Sequence, residues 1–283
     1  MNAAILWKAT RAYSLPASVV PVLLGTVLAL RSAPASQFHL GTFLLVLLGG
    51  VLAHVGANVL NDYFDYVKGV DTRPEHGSGV LTRREMTPAQ ALVFACLLLA
   101  AAALCGLFLL AEHARVVVPL ALLGVGCAVI YPAFLKRYGL GDLLIIVAFG
   151  LGLTLGAYGV QAIDVSLLTV LRVALYSLPI CLLVDAILHA NNLRDASDDR
   201  AADVRTLATL LSPKAGRSLQ QFLLFGPLLF VIAGVLARFL PVSSLTTFLA
   251  LPLLIRAART GSVQGTAQTH LVFGLLYTSA FLW

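Results

Sequence analysis

Charge is scarce in this sequence. Asp, Glu, Lys and Arg together make up 11% of 283 residues, less than half their share in a typical soluble domain. That scarcity excludes an ordinary water-soluble globule, whatever domain count the length alone suggests. Paired cysteines are missing too. Cys96, Cys105, Cys127 and Cys181 stand singly within apolar runs and no CxxC pair occurs. This argues against a disulfide scaffold and against a thiolate metal site, and each reads as a small buried hydrophobe. No cleavable leader is expected, because the run after Lys8 and Arg11 stays apolar past any small-residue cleavage position. The net charge of +6 comes without a basic–aromatic module, so nucleic acid is not an expected partner.

What is abundant is apolar length. Hydrophobic residues fill 59% of positions, and a spanning helix needs roughly 20 of them in a row. The pattern predicts an all-α, polytopic bundle of nine transmembrane helices around a central cavity. The spans lie near 14–31, 40–62, 90–111, 115–134, 142–161, 172–192, 219–239, 242–256 and 266–283, in one domain covering 1–283. Two connections are long and polar, positions 63–89 and 193–218, and nearly all acidic residues lie in or beside them. With the N-terminus inside, Arg31, Arg115, Arg172 and Arg238 fall outside and the other 15 of 19 basic residues fall inside. That asymmetry is the positive-inside pattern. It predicts a multi-pass protein, expected in a bacterial inner membrane, with both long connections in the cytoplasm.

The second predicted helix ends in a polar stripe. His54, Asn58, Asn61, Asp62 and Asp65 are spaced i, i+4, i+7, i+8, i+11 and share one helical face. Asp71 follows in the loop, after Lys68 and Gly69. The sixth helix repeats the logic with Asp185, His189, Asn192, Asp195 and Asp199, with Asn191 beside the stripe and Asp198 and Asp203 near it. His54 and His189 are the commonplace members of these stripes, since a lone helical histidine is usually packed and hydrogen-bonded. Asp185 lies deeper, suited either to positioning a substrate or to satisfying a neighbouring helix.

Polar groups at membrane depth face a wet cavity or one another. Two facing carboxylate stripes repel unless a divalent cation joins them. Carboxylate and carboxamide oxygens suit the hard ion Mg2+ rather than zinc or copper. Mg2+ keeps several waters and shares its shell with substrate phosphate. The implied ligand is a diphosphate bridged by Mg2+ to Asp62, Asp65, Asp195 and Asp199. Asn58, Asn61, Asn192 and Asp71 line the same site. Lys68, Arg73, Arg83, Arg84, Lys136, Arg200 and Arg205 are the nearby cations available for the remaining charge.

At these residues the chain resembles the UbiA-type intramembrane prenyltransferases. Asn58-x-x-Asn61-Asp62-x-x-Asp65, with Asp71 beyond, is similar to the family's first Asp-rich motif, and Asp195-x-x-x-Asp199 to its second. "RAYSLPASVVPVLLGT" resembles the family's first helix, where Arg11 matches a family arginine. "YGLGDLLIIVAFG" resembles the start of the fifth helix, and "NNLRDASDDRAADVRTLATLL" the segment leaving the sixth. Within the family, "NDYFDYVKGVD", "GSGVLTRREMTPAQ" and "NNLRD" look most like the 1,4-dihydroxy-2-naphthoate polyprenyltransferases. Five residues separate Asp65 from Asp71, a longer gap than the 4-hydroxybenzoate branch typically has. One feature departs: the family usually carries Gly-Lys where this chain has Asp203-Val204 before Arg205-Thr206-Leu207.

The resemblance implies transfer of a polyprenyl group from its diphosphate to an aromatic acceptor at the membrane, with Mg2+ as cofactor. Tyr63, Phe64, Tyr66, Tyr131 and Phe134 are candidates to line the reactive end through cation–π contact. Two alternatives stand beside this expectation. One is a prenyltransferase for 4-hydroxybenzoate or homogentisate. The other is an ion-coupled transporter, although its carboxylates belong at the midplane, on broken helices.

Overall fold

The computed structural model describes residues 2–32, 38–71, 73–129, 138–162 and 165–283. Among them every regular element is helical. A short α1 (Ala3–Ala9) leads through a 3-10 turn to α2 (Pro16–Ser32), followed by α3 (Leu40–Val67) and α4 (Pro88–Val125). α5 (Gly141–Ile145) continues through a π-helical stretch, Ile146–Gly152, into α6 (Leu153–Gly159). Then come α7 (Leu167–Ala201), the one-turn α8 (Leu207–Leu210) and α9 (Pro213–Leu236). A 3-10 segment, Val242–Ala250, precedes α10 (Leu251–Thr260) and α11 (Val263–Ser279). Seven helical stretches among the described residues are long and apolar enough to cross a membrane.

The longest of them, Pro88–Val129, runs 42 residues and covers the 90–111 expectation and the described part of 115–134, whose last positions lie outside the described residues. The polar step between those positions is a sharp turn at His113 (φ −127°, ψ 28°), where two helices meet, and a Cβ on Gly106 would lie 4.0 Å from Val117, so the chain doubles back there. Good helix formers flank it, Ala111 and Glu112 before and Ala114 and Arg115 after, so the helices run right up to the turn on both sides. The expected last span corresponds to α11, 17 residues long, with a 3-10 turn after it.

α2 is the hub of the bundle, packing on α3, α6, α7 and α11. Small residues set its approach. A Cβ on Gly25 would strike the Thr154 carbonyl of α6, and one on Gly274 of α11 would strike Val20. Close crossing through glycine is the usual packing device where lipid removes the hydrophobic drive between helices. Two interior hydroxyls are satisfied within their own helices: Thr26 donates to the Val22 carbonyl (2.8 Å) and Thr154 to Gly150 (2.7 Å).

The apolar interior divides into two clusters. The larger fills the space among α2, α7, α9, α10 and α11, around Leu24, Ile180, Leu183, Leu224 and Phe273. The smaller joins α1, α3 and α4 to the long connection after α3 through Ala9, Val59, Val80, Leu81, Met86 and Ala95. Val80, Leu81 and Met86 lie within a connection that is otherwise polar. Burying them fixes the connection against the ends of α3 and α4 and holds residues 73–79 over the carboxylate stripe.

Candidate active site

The α3 helix extends past its expected end to Val67, so Asn58, Asn61, Asp62 and Asp65 all ride on one continuous helix. Asp62 is 6% exposed and fully engaged. Its Oδ1 pairs with the Arg11 guanidinium, and its Oδ2 accepts from the Ser78 amide (3.0 Å) and hydroxyl (2.6 Å). Arg11 reaches it from a left-handed backbone conformation, φ 50°. That conformation is uncommon for a residue with a Cβ and is a form of strain that clusters at functional sites. Gly77 lies directly over the pair. It has φ +58°, and any Cβ there would meet both Asp62 Oδ1 and Arg11 Nη2. Arg83 braces the same turn by donating to the Pro74 (2.9 Å) and Ser78 (2.8 Å) carbonyls.

The neighbouring groups have other duties. Asn61 donates to Asp65 Oδ2 (2.8 Å), one helical turn on, and Asp65 is buried. Asn58 turns toward α2 and donates to Ser14 (3.2 Å). His54, below it, contacts Ser18 (2.7 Å) and Ser14 (3.3 Å) and packs edge-on to Phe149. Lys68 places its ammonium over the Phe64 ring. Lys136, Tyr131 and Phe134 lie outside the described residues.

The second stripe rides on α7, which stays helical through Asp199 to Ala201. Asp195 is held by its own helix: Arg194 donates to both carboxylate oxygens (2.7 and 2.6 Å), and Asn191 adds a contact at 3.3 Å. Asn192 and Asp199 are buried beside it. Asp198 turns toward the connection after α3, where Arg73 donates to its Oδ1 at 2.7 Å and His76 approaches its Oδ2 at 3.0 Å. His76 also lies 3.9 Å from Asp195 and 3.7 Å from Asp71. The two stripes therefore meet across the 71–79 turn.

Several of these residues give no signal in the sequence. His76 and Ser78 sit in a connection without periodicity. Only the adjacent Gly77 and Gly79, both at positive φ, mark a backbone folded tightly against something. Asp142 is another. It is buried at the start of α5 beside Asp185, 3.5 Å from His189, whose other nitrogen contacts the Gly216 carbonyl at 3.0 Å. This polar knot is one to three turns deeper than the Asp195 end of α7 and ties α5, α7 and α9 together.

The Asp203-Val204 departure has a structural reading. Asp203 adopts φ 53°, the left-handed region a glycine enters freely and aspartate tolerates. Val204 is buried against the bundle, while Arg205 is exposed. The backbone turn survives the loss of glycine, and an apolar contact replaces a cation. Arg200 is committed elsewhere, with its Nη2 donating to the Ala208 carbonyl (3.0 Å).

The donor set suits a hard cation. Carboxylates and carboxamides from two helices converge, with no thiolate among them. No three carboxylate, thiolate or imidazole groups among the described residues form a ready metal cage. That agrees with an ion that takes much of its shell from water and phosphate.

Similarity to known proteins bears on this arrangement. The chain is 35% identical over 298 residues to the UbiA prenyltransferase domain-containing protein 1 homolog of Drosophila melanogaster, covering 96% of this chain and 77% of that protein. It is 29% identical to the 1,4-dihydroxy-2-naphthoate octaprenyltransferase of Bacillus subtilis, covering 98% and 92%. Its fold matches the structure of a UbiA homolog from Archaeoglobus fulgidus bound to GPP and Mg2+, with TM-score 0.66, 11% identity and 98% of each chain aligned. The sequence profile of the UbiA prenyltransferase family matches residues 18–281. A match over nearly the whole chain, with the acidic helix ends inside it, shows that this protein belongs to the UbiA prenyltransferase family.

Proposed function

We propose that this prenyltransferase joins a polyprenyl chain, supplied as its diphosphate, to 1,4-dihydroxy-2-naphthoate. The observation that carries the reading is the meeting of two Asp-bearing helix ends across one turn. A diphosphate brings high negative charge, and only cations make such a carboxylate-rich site hospitable to it. Asp62, Asp65, Asp195 and Asp199 would hold Mg2+, with Asp71, Asn58, Asn61 and Asn192 around it. The ion supplies Lewis acidity and neutralises charge on the departing diphosphate. The relatives support this: one is named for the same acceptor, and a structural neighbour holds a prenyl diphosphate with Mg2+.

The chain's own residues do the rest. Arg11 and Ser78 fix Asp62 before substrate arrives, so little reorganisation remains for the reaction itself. Arg11, Lys68 and Arg73, with Lys136 beyond the described residues, bring positive charge near the diphosphate. Heterolysis of the allylic C–O bond sends the electron pair out with the diphosphate. The acceptor ring forms the new C–C bond to the resulting cation, and loss of the acceptor carboxylate as CO2 restores aromaticity. The apolar spans keep the isoprenoid tail in the bilayer and water away from the cation.

The single domain 1–283 crosses the membrane with its N-terminus and both acidic helix ends in the cytoplasm of a bacterial cell. The charge asymmetry supports that orientation. Cysteine labelling at Glu75 and Ser166, both exposed, tests it: labelling of position 75 from outside the cell reverses the topology. The acceptor is tested by incubating membranes with one polyprenyl diphosphate and three acceptors, 1,4-dihydroxy-2-naphthoate, 4-hydroxybenzoate and homogentisate. The expected main product is the prenylated, decarboxylated naphthoquinol. A main product from either other acid rejects the acceptor and leaves the Mg2+ site standing.

A further inference from the structure

His76 lies outside both Asp motifs and touches each of them. It is 5% exposed. Its Nε2 is 3.0 Å from Asp198 Oδ2 and 3.9 Å from Asp195 Oδ1, both on α7. Its Nδ1 faces the other way, 3.7 Å from Asp71 Oδ1, and has no hydrogen-bond partner. Beside it is a cavity of about 10 Å3 bordered by Asp62, Tyr66, Asp71, His76 and Ser78. That volume holds about one water. Arg73 reaches the opposite oxygen of Asp198 from the solvent side, so the imidazole is the inner of that carboxylate's two partners.

This arrangement is costly unless something completes it. A buried ring nitrogen without a partner forfeits a hydrogen bond. A donor placed in the cavity would satisfy Nδ1. Water carried by a metal ion is such a donor, and Mg2+ retains several. With Nε2–H on Asp198 and Nδ1 on that water, the ring would set the distance between the two helix ends. Partners of this kind, one step removed from the metal, typically govern affinity by 10- to 100-fold.

We propose that His76 is a positioning residue of the metal–diphosphate site. Its Nε2–H holds Asp198 and α7 against the first motif, and its Nδ1 accepts a hydrogen from a water carried by bound Mg2+. The proposal rests on the reading that the two Asp motifs share Mg2+ with the diphosphate.

The test uses the full chain purified in lipid nanodiscs. Calorimetry measures binding of an unreactive prenyl thiodiphosphate as a function of Mg2+, alongside turnover with the natural diphosphate. His76→Leu preserves bulk and removes both hydrogen bonds. The Mg2+ concentration for half-saturation is expected to rise about 10- to 100-fold, with the larger part of the loss in that requirement rather than in kcat. His76→Gln keeps a donor near the Nε2 position and is expected to fall between wild type and His76→Leu. In an Asp198→Ala background, His76→Leu is expected to cost less than in the wild type, because one of its two partners is already gone.

A Mg2+ requirement of His76→Leu within about twofold of wild type, well short of the usual effect of such partners, overturns the proposal. Should His76→Leu fail to fold, a wild-type requirement in His76→Gln overturns it instead. Asp195→Ala separates this proposal from the reading beneath it. Unchanged Mg2+-dependent binding in Asp195→Ala removes the metal site itself, whereas loss there with a normal His76→Leu removes only the role of His76.

Discussion

The two acidic helix ends look alike in the sequence and are built differently. Asp62 is held by groups far away in the chain: Arg11, 51 positions earlier, and Ser78, 16 positions later. Asp195 is held by neighbours on its own helix, Arg194 and Asn191. The first motif therefore exists only when α1, α3 and the connection after α3 have assembled. The second exists as soon as α7 is helical. One consequence is energetic. The Asp62–Arg11 pair is almost enclosed, at 7% and 12% side-chain exposure, whereas Arg194 keeps 35%. Removing one member of an enclosed pair strands a buried charge, while removing a half-exposed partner lets water take its place.

The largest effects remove both motifs from the comparison. Asp62→Ala, Asp65→Ala, Asp195→Ala and Asp199→Ala are each expected to lower kcat by about a hundredfold or more, the usual cost of losing one electrostatic stabiliser of a transition state. Turnover at saturating Mg2+ in well-inserted protein measures this. Near-normal rates in two of the four would remove the shared-metal reading.

Next come changes that separate the two construction styles. Arg11→Ala is expected to destabilise the protein by about 3 kcal/mol or more. Arg194→Ala is expected to cost no more than about 1 kcal/mol. Denaturant unfolding in detergent compares them, and equal losses would erase the distinction. Gly77→Ala and Gly69→Ala sharpen the same point within one connection. Both glycines have positive φ, but an added Cβ meets nothing within 4 Å at Gly69 and meets the Asp62–Arg11 pair at Gly77. Gly69→Ala is expected to cost about 1 kcal/mol of backbone strain and leave turnover within a fewfold. Gly77→Ala is expected to pry Asp62 from Arg11 and lose turnover with stability.

The smallest effect lies at the rim. Lys8 of α1 donates to both oxygens of Glu85 (2.7 and 2.9 Å) at the foot of the connection. The Lys8 hydrogen bond holds the Glu85 carboxyl below its usual range. A lowered carboxyl stabilises the fold at pH above the ordinary glutamate value, and the contribution disappears as pH falls through the lowered one. Because the pair is exposed, Lys8→Ala is expected to change turnover by about twofold or less, and added salt should hide even that. A larger loss would mean that α1 does more than steady the connection.

The same contrast explains what was legible. Helical periodicity exposes residues on one face, so both Asp/Asn stripes could be read from spacing alone, and α3 and α7 carry them as one continuous surface. Arg11 was found only by resemblance, since nothing in local sequence links it to a carboxylate on another helix. His76 and Ser78 were missed because an irregular connection has no period, and their roles arise from where the apolar side chains of Val80, Leu81 and Met86 seat the turn. Asp198 reads as a bystander to Asp195 and Asp199 in the sequence, yet it pairs with both Arg73 and His76 of the connection. At His113 the polar step marks the turn between two helices, and strong helix formers on both sides keep that turn very short.

The connection after α3 has a grammar of its own. Positions 71–79 write the polar half, and positions 80–86 write the apolar footing under the helices. The boundary between them falls at Gly79, a residue at φ +71° whose added Cβ would collide with Arg83 and the Pro74 carbonyl. Grafting the first half from a relative would exchange the polar groups that face Asp62 and Asp198 while the footing stays in place. Adding or deleting a residue in the second half slides Val80, Leu81 and Met86 out of register with α3 and α4, and every polar contact upstream moves with them. Substitutions in the polar half change side chains over the Asp62–Arg11 pair, whereas a change of length in the other half shifts the seat on which they all rest.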